Sequence, residues 1–207
     1  MRLFIVSVII AVTAYVVGGV NGAITASTRF YKRDIRKFGS GNPGLTNFYR
    51  VFGKAGVTLV VLIDVAKTVL PVFFGGFLTR GGAGWVYGAS LAGVFVILGH
   101  CYPVFYHFRG GKGVMAIGAI IWILDWRVGL CAWLIFGTIV AVTRYVSLGA
   151  IVGSISVPVS MAVFRAGRGR DVAVMSVGAL IVVLRHGANI KRLIAGAENK
   201  LSFGKRK

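Results

Sequence analysis

The chain has 207 residues, of which 57% are apolar and only 14% charged, with a mean hydropathy of +0.82. An ordinary soluble domain is about 45–50% apolar and about 25% charged, so this chain cannot bury its apolar surface in one globule and still cover itself with polar groups; a soluble fold and a disordered chain are both excluded. Its 24 Lys and Arg face only 5 acids, for a net charge of +19, and its two cysteines, Cys101 and Cys131, exclude a disulfide scaffold or a Cys-based zinc cluster.

Seven apolar runs follow in chain order: 3–20, 56–78, 83–106, 114–125, 128–143, 146–164 and 172–184. A membrane helix needs about 20 apolar residues. The fourth and seventh runs are short and are expected to extend into the glycine-rich and His/Asn-containing segments beside them. The first run follows Arg2 like a signal peptide, but its apolar part exceeds the usual 7–15 residues and a basic segment comes next, so it reads as a span. The pairs Gly18/Gly22, Gly84/Gly88 and Gly149/Gly153 have the small-xxx-small spacing of packed membrane helices. The expectation is a single all-α domain over 1–207, an integral membrane bundle of seven transmembrane helices.

Charge sets the sidedness. The segments 21–55, 107–113, 144–145 and 185–207 together hold 17 Lys and Arg, and the opposite connections hold 6. The positive-inside rule places the N-terminus outside and the C-terminus in the cytoplasm, which an odd number of spans requires. In a membrane chain this excess of cations points to an anionic leaflet or an anionic substrate rather than to nucleic acid.

The polar residues that interrupt the apolar pattern collect at the cytoplasmic ends of the spans. The first cluster is Gly39-Ser40-Gly41-Asn42-Pro43-Gly44-Leu45-Thr46-Asn47, followed by Arg50. Glycines let successive N–H groups converge on an anion, and Arg50 adds a fork suited to phosphate. The second is Arg109-Gly110-Gly111-Lys112-Gly113, which puts a lysine and free N–H groups at a helix start. It is not a Walker A loop: the glycine six residues before the lysine and the Ser/Thr after it are replaced by Tyr106 and Gly113.

The third cluster is Asp64 and Lys67, at i and i+3 inside the second run. Each charge costs about 2.5–3.5 kcal/mol near a span's centre unless paired or hydrated. The pair reads either as self-neutralising or as a pocket in which Lys67 faces an anion and Asp64 orients it. The fourth is Arg185-His186-Gly187-Ala188-Asn189-Ile190-Lys191-Arg192, then Glu198. If the seventh helix continues, His186, Asn189 and Arg192 share one face. Smaller signals are His100, a helix-end histidine read as hydrogen-bonded, Cys101 beside it, read as packing, and Arg144 with Ser147, a candidate helix cap. The three histidines lack ligand spacing, so no metal site is expected.

Taken in order, these motifs resemble the signatures of the bacterial acyl-phosphate:glycerol-3-phosphate acyltransferases of the PlsY type. The resemblance rests on 39–50, on Asp64-Val65-Ala66-Lys67, on Gly99-His100-Cys101-Tyr102-Pro103 with 108–114, on Arg144-Tyr145-Val146-Ser147, and on 185–193 with Gly196-Ala197-Glu198. It runs from about residue 3 to Glu198. Where the family usually has Gly-Ser-Ile-Pro after the first span, this chain has Gly18-Gly19-Val20-Asn21, and Leu45, Arg109 and Ala116 replace the family's common Ala, Lys and Thr.

The resemblance implies a multi-pass enzyme of the bacterial inner membrane with a cytoplasm-facing site. It implies transfer of a fatty acyl group from acyl phosphate to the 1-hydroxyl of sn-glycerol 3-phosphate, giving lysophosphatidic acid and phosphate. No cofactor or metal is expected, and an enzyme that forms the acyl phosphate is an implied upstream partner. The candidate catalytic residues are Ser40, Asn42, Lys112, His186 and Asn189. The candidate substrate contacts are Gly39, Gly41, Thr46, Asn47, Arg50, Asp64, Lys67, His100, Gly111, Gly113, Arg144, Ser147, Arg192 and Glu198. Two phosphates bring up to about four negative charges, which Arg50, Lys67, Lys112, Arg144 and Arg192 are placed to match. The base is left open among His186, His100 and a donor phosphate oxygen. A transporter of phosphorylated anions is the rival reading, but it predicts an inverted repeat, and none is visible.

Overall fold

The computed structural model describes residues 1–164 and 166–201; Arg165 and the basic tail residues Lys205, Arg206 and Lys207, counted above for sidedness, lie outside the described residues. The described chain is all-helical. In order come α1 (Arg2–Gly18), α2 (Gly22–Tyr31), α3 (Leu45–Phe52), α4 (Val57–Thr79), α5 (Trp85–Cys101), α6 (Val114–Leu124), α7 (Trp126–Thr143), α8 (Val146–Val163), α9 (Gly169–Arg185) and α10 (Gly187–Ile194).

Every apolar run becomes a helix, but the seven-span reading needs a correction in length. Five helical stretches are long and apolar enough to cross a bilayer: 2–31, 57–79, 85–106, 126–143 and 146–163. A sixth is reached if α9 and α10, bent by 57° at their junction, are taken together. Helix α6 has 11 residues, roughly 16 Å at about 1.5 Å per residue, half of a hydrocarbon core of about 30 Å. It does not grow backwards into the glycine-rich segment, because Gly113 caps it in the left-handed conformation. Nor does the seventh helix run on: it stops at Arg185, and His186 forms the bend.

Helix α5 is the post of the bundle, packed against α1, α4, α6 and α9. Its buried face is built of small side chains, among them Gly88, Ala89, Ala92, Gly93 and Gly99, and neighbouring backbones come close enough to touch it. A Cβ on Gly88 would strike the Gly75 carbonyl of α4, and one on Gly99 would strike the Tyr15 carbonyl of α1. A Cβ on Gly18 would lie 2.7 Å from the Val96 backbone. The predicted small-residue contacts therefore occur at Gly18, Gly22, Gly88, Gly149 and Gly153, whereas a Cβ on Gly84 would meet open space. Leu62, Leu70, Leu180 and Val163 are exposed on the outside of the bundle, the surface expected where the surrounding solvent is lipid.

The break between α1 and α2 is made by Asn21, which is fully buried. Its Oδ1 accepts the Ile24 N–H at 2.9 Å and caps α2, and its Nδ2 donates to the Pro43 carbonyl at 3.1 Å. One side chain thus starts a helix and ties it to the Gly39–Gly44 loop. Replacing a capping Asn by Ala costs about 0.5–2 kcal/mol. Asn21→Ala is expected to lower the thermal midpoint of the purified protein and to increase proteolysis in the 39–44 loop; an unchanged midpoint and cleavage pattern would remove Asn21 from this role.

Candidate active site

Residues from 40–50, 100, 112–113, 147 and 186–198 line one cavity of about 370 Å³. The loops that carry them are therefore at one end of the bundle. Fourteen of the expected site residues stand on its wall: Ser40, Asn42, Thr46, Asn47, Arg50, Asp64, His100, Lys112, Gly113, Ser147, His186, Asn189, Arg192 and Glu198. A second space of about 380 Å³ adjoins it and shares Ser40, Asn42, Lys112, Asn189 and Arg192; it adds Gly41, Arg36, Arg109 and Arg185. Gly39, Lys67, Gly111 and Arg144 line neither space.

The glycine loop is held from below by α3. The Asn47 Oδ1 accepts the Ser40 N–H at 2.9 Å, and its Nδ2 donates to the Phe38 carbonyl at 2.9 Å. Gly39 lies at φ +61, and a Cβ there would run into Asn47 Oδ1. Asn47 therefore clamps the loop with both ends of its amide while standing on the cavity wall. Ser40 and Asn42 stand above the clamp, on the walls of both spaces.

The glycine segment before α6 is held by α5 and α9. The N–H groups of Gly110 and Gly111 donate to the Cys101 and His100 carbonyls, so these two are not free for an anion. Arg185 donates from Nε to the Gly111 carbonyl and from a terminal nitrogen to the Gly110 carbonyl, both at 3.1 Å. This clamp brings Lys112 over the cavity. Sequence reasoning read Arg185 only as part of a basic helix end; its two-carbonyl grip depends on the packing of α9 against α5.

Glu198 is the hub of the third wall. Its Oε1 accepts from Ser147 Oγ at 2.9 Å and Asn189 Nδ2 at 2.7 Å, and its Oε2 accepts from Arg192 Nε at 2.7 Å. Asn189 in turn accepts the Lys112 ammonium at 2.6 Å. Ser147 is thus not a helix cap: Tyr145 occupies that position, and the Ser147 hydroxyl serves the carboxylate. The segment after α10 folds back, with the Leu201 N–H donating to the Arg144 carbonyl, so that Asn199 and Leu201 also reach the cavity wall. No motif in the sequence marked those two residues. Arg144 contributes its backbone here, and its exposed side chain stays off the wall.

Beneath the cavity lies the Asp64–Lys67 pair, 2.8 Å apart and almost completely buried. The Lys67 ammonium also donates to the Val20 carbonyl at 2.5 Å and meets His100 Nδ1 at 2.8 Å. Three protein groups thus surround its nitrogen, in the place where Lys67 was expected to face an anion. The Gly22 N–H donates to Asp64 Oδ1 at 3.1 Å, while Oδ2 has no partner among the described residues.

Electrostatics at the mouth favour anions. Burial pushes the Lys112 ammonium down to about 8, with Glu198 pulling it up and Arg192, Arg185 and Arg50 pushing it further down. Burial works to raise the Glu198 carboxyl, but the hydrogen bonds from Asn189, Arg192 and Ser147 outweigh it and hold the group below the usual range. At the other end the cavity is apolar, walled by Ile117, Ile121, Trp133, Phe136 and Val157 between α6, α7 and α8. Such a space accepts a molecule with an anionic head and a hydrocarbon tail.

A membrane-embedded helical bundle with an amphiphile-shaped, cationic site is the class these features define. A sequence profile described as glycerol-3-phosphate acyltransferase matches residues 8–196. The glycerol-3-phosphate acyltransferase of Thermoanaerobacter pseudethanolicus is 38% identical over 196 residues, covering 94% of this chain and 96% of its own. That of Syntrophotalea carbinolica is 38% identical over 192 residues, covering 93% and 96%. The crystal structure of PlsY, an integral membrane glycerol 3-phosphate acyltransferase, superposes in its glycerol 3-phosphate form with a TM-score of 0.82 at 30% identity, covering 95% of this chain and 96% of that one. Its lysophosphatidic acid form gives 0.81 at 29% identity, covering 95% of both chains. The chain belongs to the glycerol-3-phosphate acyltransferase family and is of the PlsY type, which places it in phospholipid synthesis.

A lysine that loses its charge near pH 8 gives a pH dependence with a definite sign. Anion affinity is highest below that pH, where Lys112 is protonated, and declines as pH rises through it. Inorganic phosphate titrated into the purified protein is expected to bind up to about tenfold more weakly per pH unit above 8. The decline should flatten in Lys112→Arg, whose guanidinium stays charged.

Proposed function

We propose that the protein transfers a fatty acyl group from acyl phosphate to the 1-hydroxyl of sn-glycerol 3-phosphate, forming lysophosphatidic acid and releasing inorganic phosphate. The observation that carries this reading is the single cavity with a cationic, hydrogen-bonding mouth and an apolar far end. The likeness to a relative solved in glycerol 3-phosphate and lysophosphatidic acid forms supports the same acceptor and product. The chain spans the membrane seven times, counting short α6, with its N-terminus outside and the cavity opening to the cytoplasm of a bacterial inner membrane. The uneven distribution of Lys and Arg supports that orientation.

In this mechanism Ser40, Asn42 and Lys112 hold the acyl-phosphate head, while Arg50, Ser147, Asn189 and Arg192 seat glycerol 3-phosphate. The hydrocarbon tail lies between α6, α7 and α8. The glycerol oxygen attacks the acyl carbon, the bond from that carbon to the phosphate oxygen breaks, and phosphate leaves. His186 takes the hydroxyl proton. Its Nδ1 lies 2.7 Å from the Val182 carbonyl; a carbonyl only accepts, so Nδ1 carries the proton and Nε2 keeps its lone pair for the substrate. Phosphate is already a good leaving group, so no enzyme nucleophile is required. Cys101 is packed in the core, and Ser147 is engaged with Glu198. Positioning and charge neutralisation supply most of the rate.

Purified protein given palmitoyl phosphate and glycerol 3-phosphate is expected to produce lysophosphatidic acid and phosphate, and palmitoyl-CoA to give no product. Turnover with the thioester would overturn the choice of donor. Asn42→Ala and Lys112→Ala should abolish turnover in protein that still elutes as a folded species. His186→Ala should lower kcat by about 100-fold or more; a loss confined to the KM for glycerol 3-phosphate would move the proton to the donor phosphate. Incubation with palmitoyl phosphate alone should release no burst of phosphate and leave the protein mass unchanged, because no acyl-enzyme forms.

A further inference from the structure

His100 sits on the cavity floor with the opposite proton arrangement from His186. Its Nδ1 is 2.8 Å from the Lys67 Nζ, which also pairs with Asp64 Oδ1 at 2.8 Å and donates to the Val20 carbonyl. A neutral lysine would leave an Asp64 carboxylate as an uncompensated buried charge, a state costing several kcal/mol, so Lys67 is read as the ammonium. Its three protons then go to Asp64, to Val20 and to His100 Nδ1, which must offer a lone pair. The ring proton is therefore on Nε2. Among the described residues, the hydrogen bond of this ring is the one at Nδ1. Nε2 faces Gly111, where a Cβ would collide with it, and His100 lines the cavity within the same wall as Lys112.

We propose that the buried Asp64–Lys67 pair acts through His100, fixing it as an Nε2–H donor that hydrogen-bonds a phosphate oxygen in the cavity. His100 is then a binding group that touches substrate, and Asp64 and Lys67 are positioning residues. It is excluded as the base, since Nε2 holds a proton and Nδ1 is occupied by Lys67. Gly111 is required because a Cβ there would collide with the ring at Nε2. The inference rests on the acyl-transfer reading only for which phosphate is bound; the tautomer itself does not depend on it.

Two arms test it on the full-length protein. Nitrogen NMR of ring-labelled histidine distinguishes the three residues His100, His107 and His186, with His100→Gln to assign the signal. The expected result is a protonated Nε2 and an unprotonated Nδ1 at His100. The Nε2–H signal should shift when inorganic phosphate is added, and the pattern should be lost in Lys67→Met. A protonated Nδ1, or no shift with phosphate, overturns the proposal.

In the kinetic arm, His100→Asn keeps an acceptor for Lys67 but has nothing at the Nε2 position, while His100→Gln restores a donor there. His100→Asn should lose about 100-fold or more in kcat/KM, the scale of one lost donor to a developing anion, with its thermal midpoint near that of the wild type. His100→Gln should recover most of the loss. A KM rise confined to palmitoyl phosphate assigns the donor's phosphate, and one confined to glycerol 3-phosphate assigns the acceptor's. Wild-type kcat/KM in His100→Asn overturns the proposal. If the wild type makes no lysophosphatidic acid, the acyl-transfer reading fails while the nitrogen signals still decide the tautomer.

Discussion

A charge placed among apolar helices must be matched almost atom for atom, and the rest of this structure depends on that constraint. The Asp64–Lys67 pair meets it on the lysine side, where the nitrogen stands against Asp64, Val20 and His100, while Asp64 Oδ2 is left without a partner among the described residues. Glu198 satisfies it by drawing in Ser147, Asn189 and Arg192. Each network joins segments far apart in the chain. The polar cost of carrying charge near the membrane is thereby turned into tertiary cross-links that give the cavity its shape.

The two histidines on the cavity wall illustrate how local geometry divides labour between like groups. His186 donates its Nδ1 proton to a carbonyl of its own helix, four residues back. In the proposed arrangement His100 Nδ1 accepts a hydrogen bond from a lysine of another helix. The outcome is one imidazole that offers a lone pair and one that offers a proton, in the same cavity. Nothing about the residue type separates them. The difference lies in whether the neighbour of Nδ1 can only accept or can only donate.

Glycine has two separate uses here. On α5 and its partners it removes the side chain so that backbones can touch, as between Gly88 and Gly75. At Gly39, Gly41 and Gly113 it permits the left-handed backbone that turns the anion-facing segments. Asn21 bridges the two uses. It ends the packed span and holds the loop that faces the cavity, at a position where the family usually carries proline. The break between α1 and α2 is thus made by a side-chain cap and a tether in place of a missing N–H.

Much of the architecture was legible in the order of residues. The apolar runs located all the main helices because lipid demands continuous hydrocarbon over each span. The five motifs located the cavity wall because Ser, Asn, His and Arg are too costly in such a chain without a task. Length misled at α6 and α9, where a left-handed Gly113 and the bend at His186 stop the helices; backbone conformation, not hydropathy, sets those ends. Tertiary packing alone decided which polar groups line the cavity and which are engaged in holding its walls together. Lys67, Asn47 and Glu198 read as ligands in one dimension. In three dimensions Lys67 lies off the cavity wall among Asp64, Val20 and His100, while Asn47 and Glu198 stand on the wall and also bind the segments around them. A hydrogen-bonding group has a fixed number of protons and lone pairs, and only the fold settles who takes them.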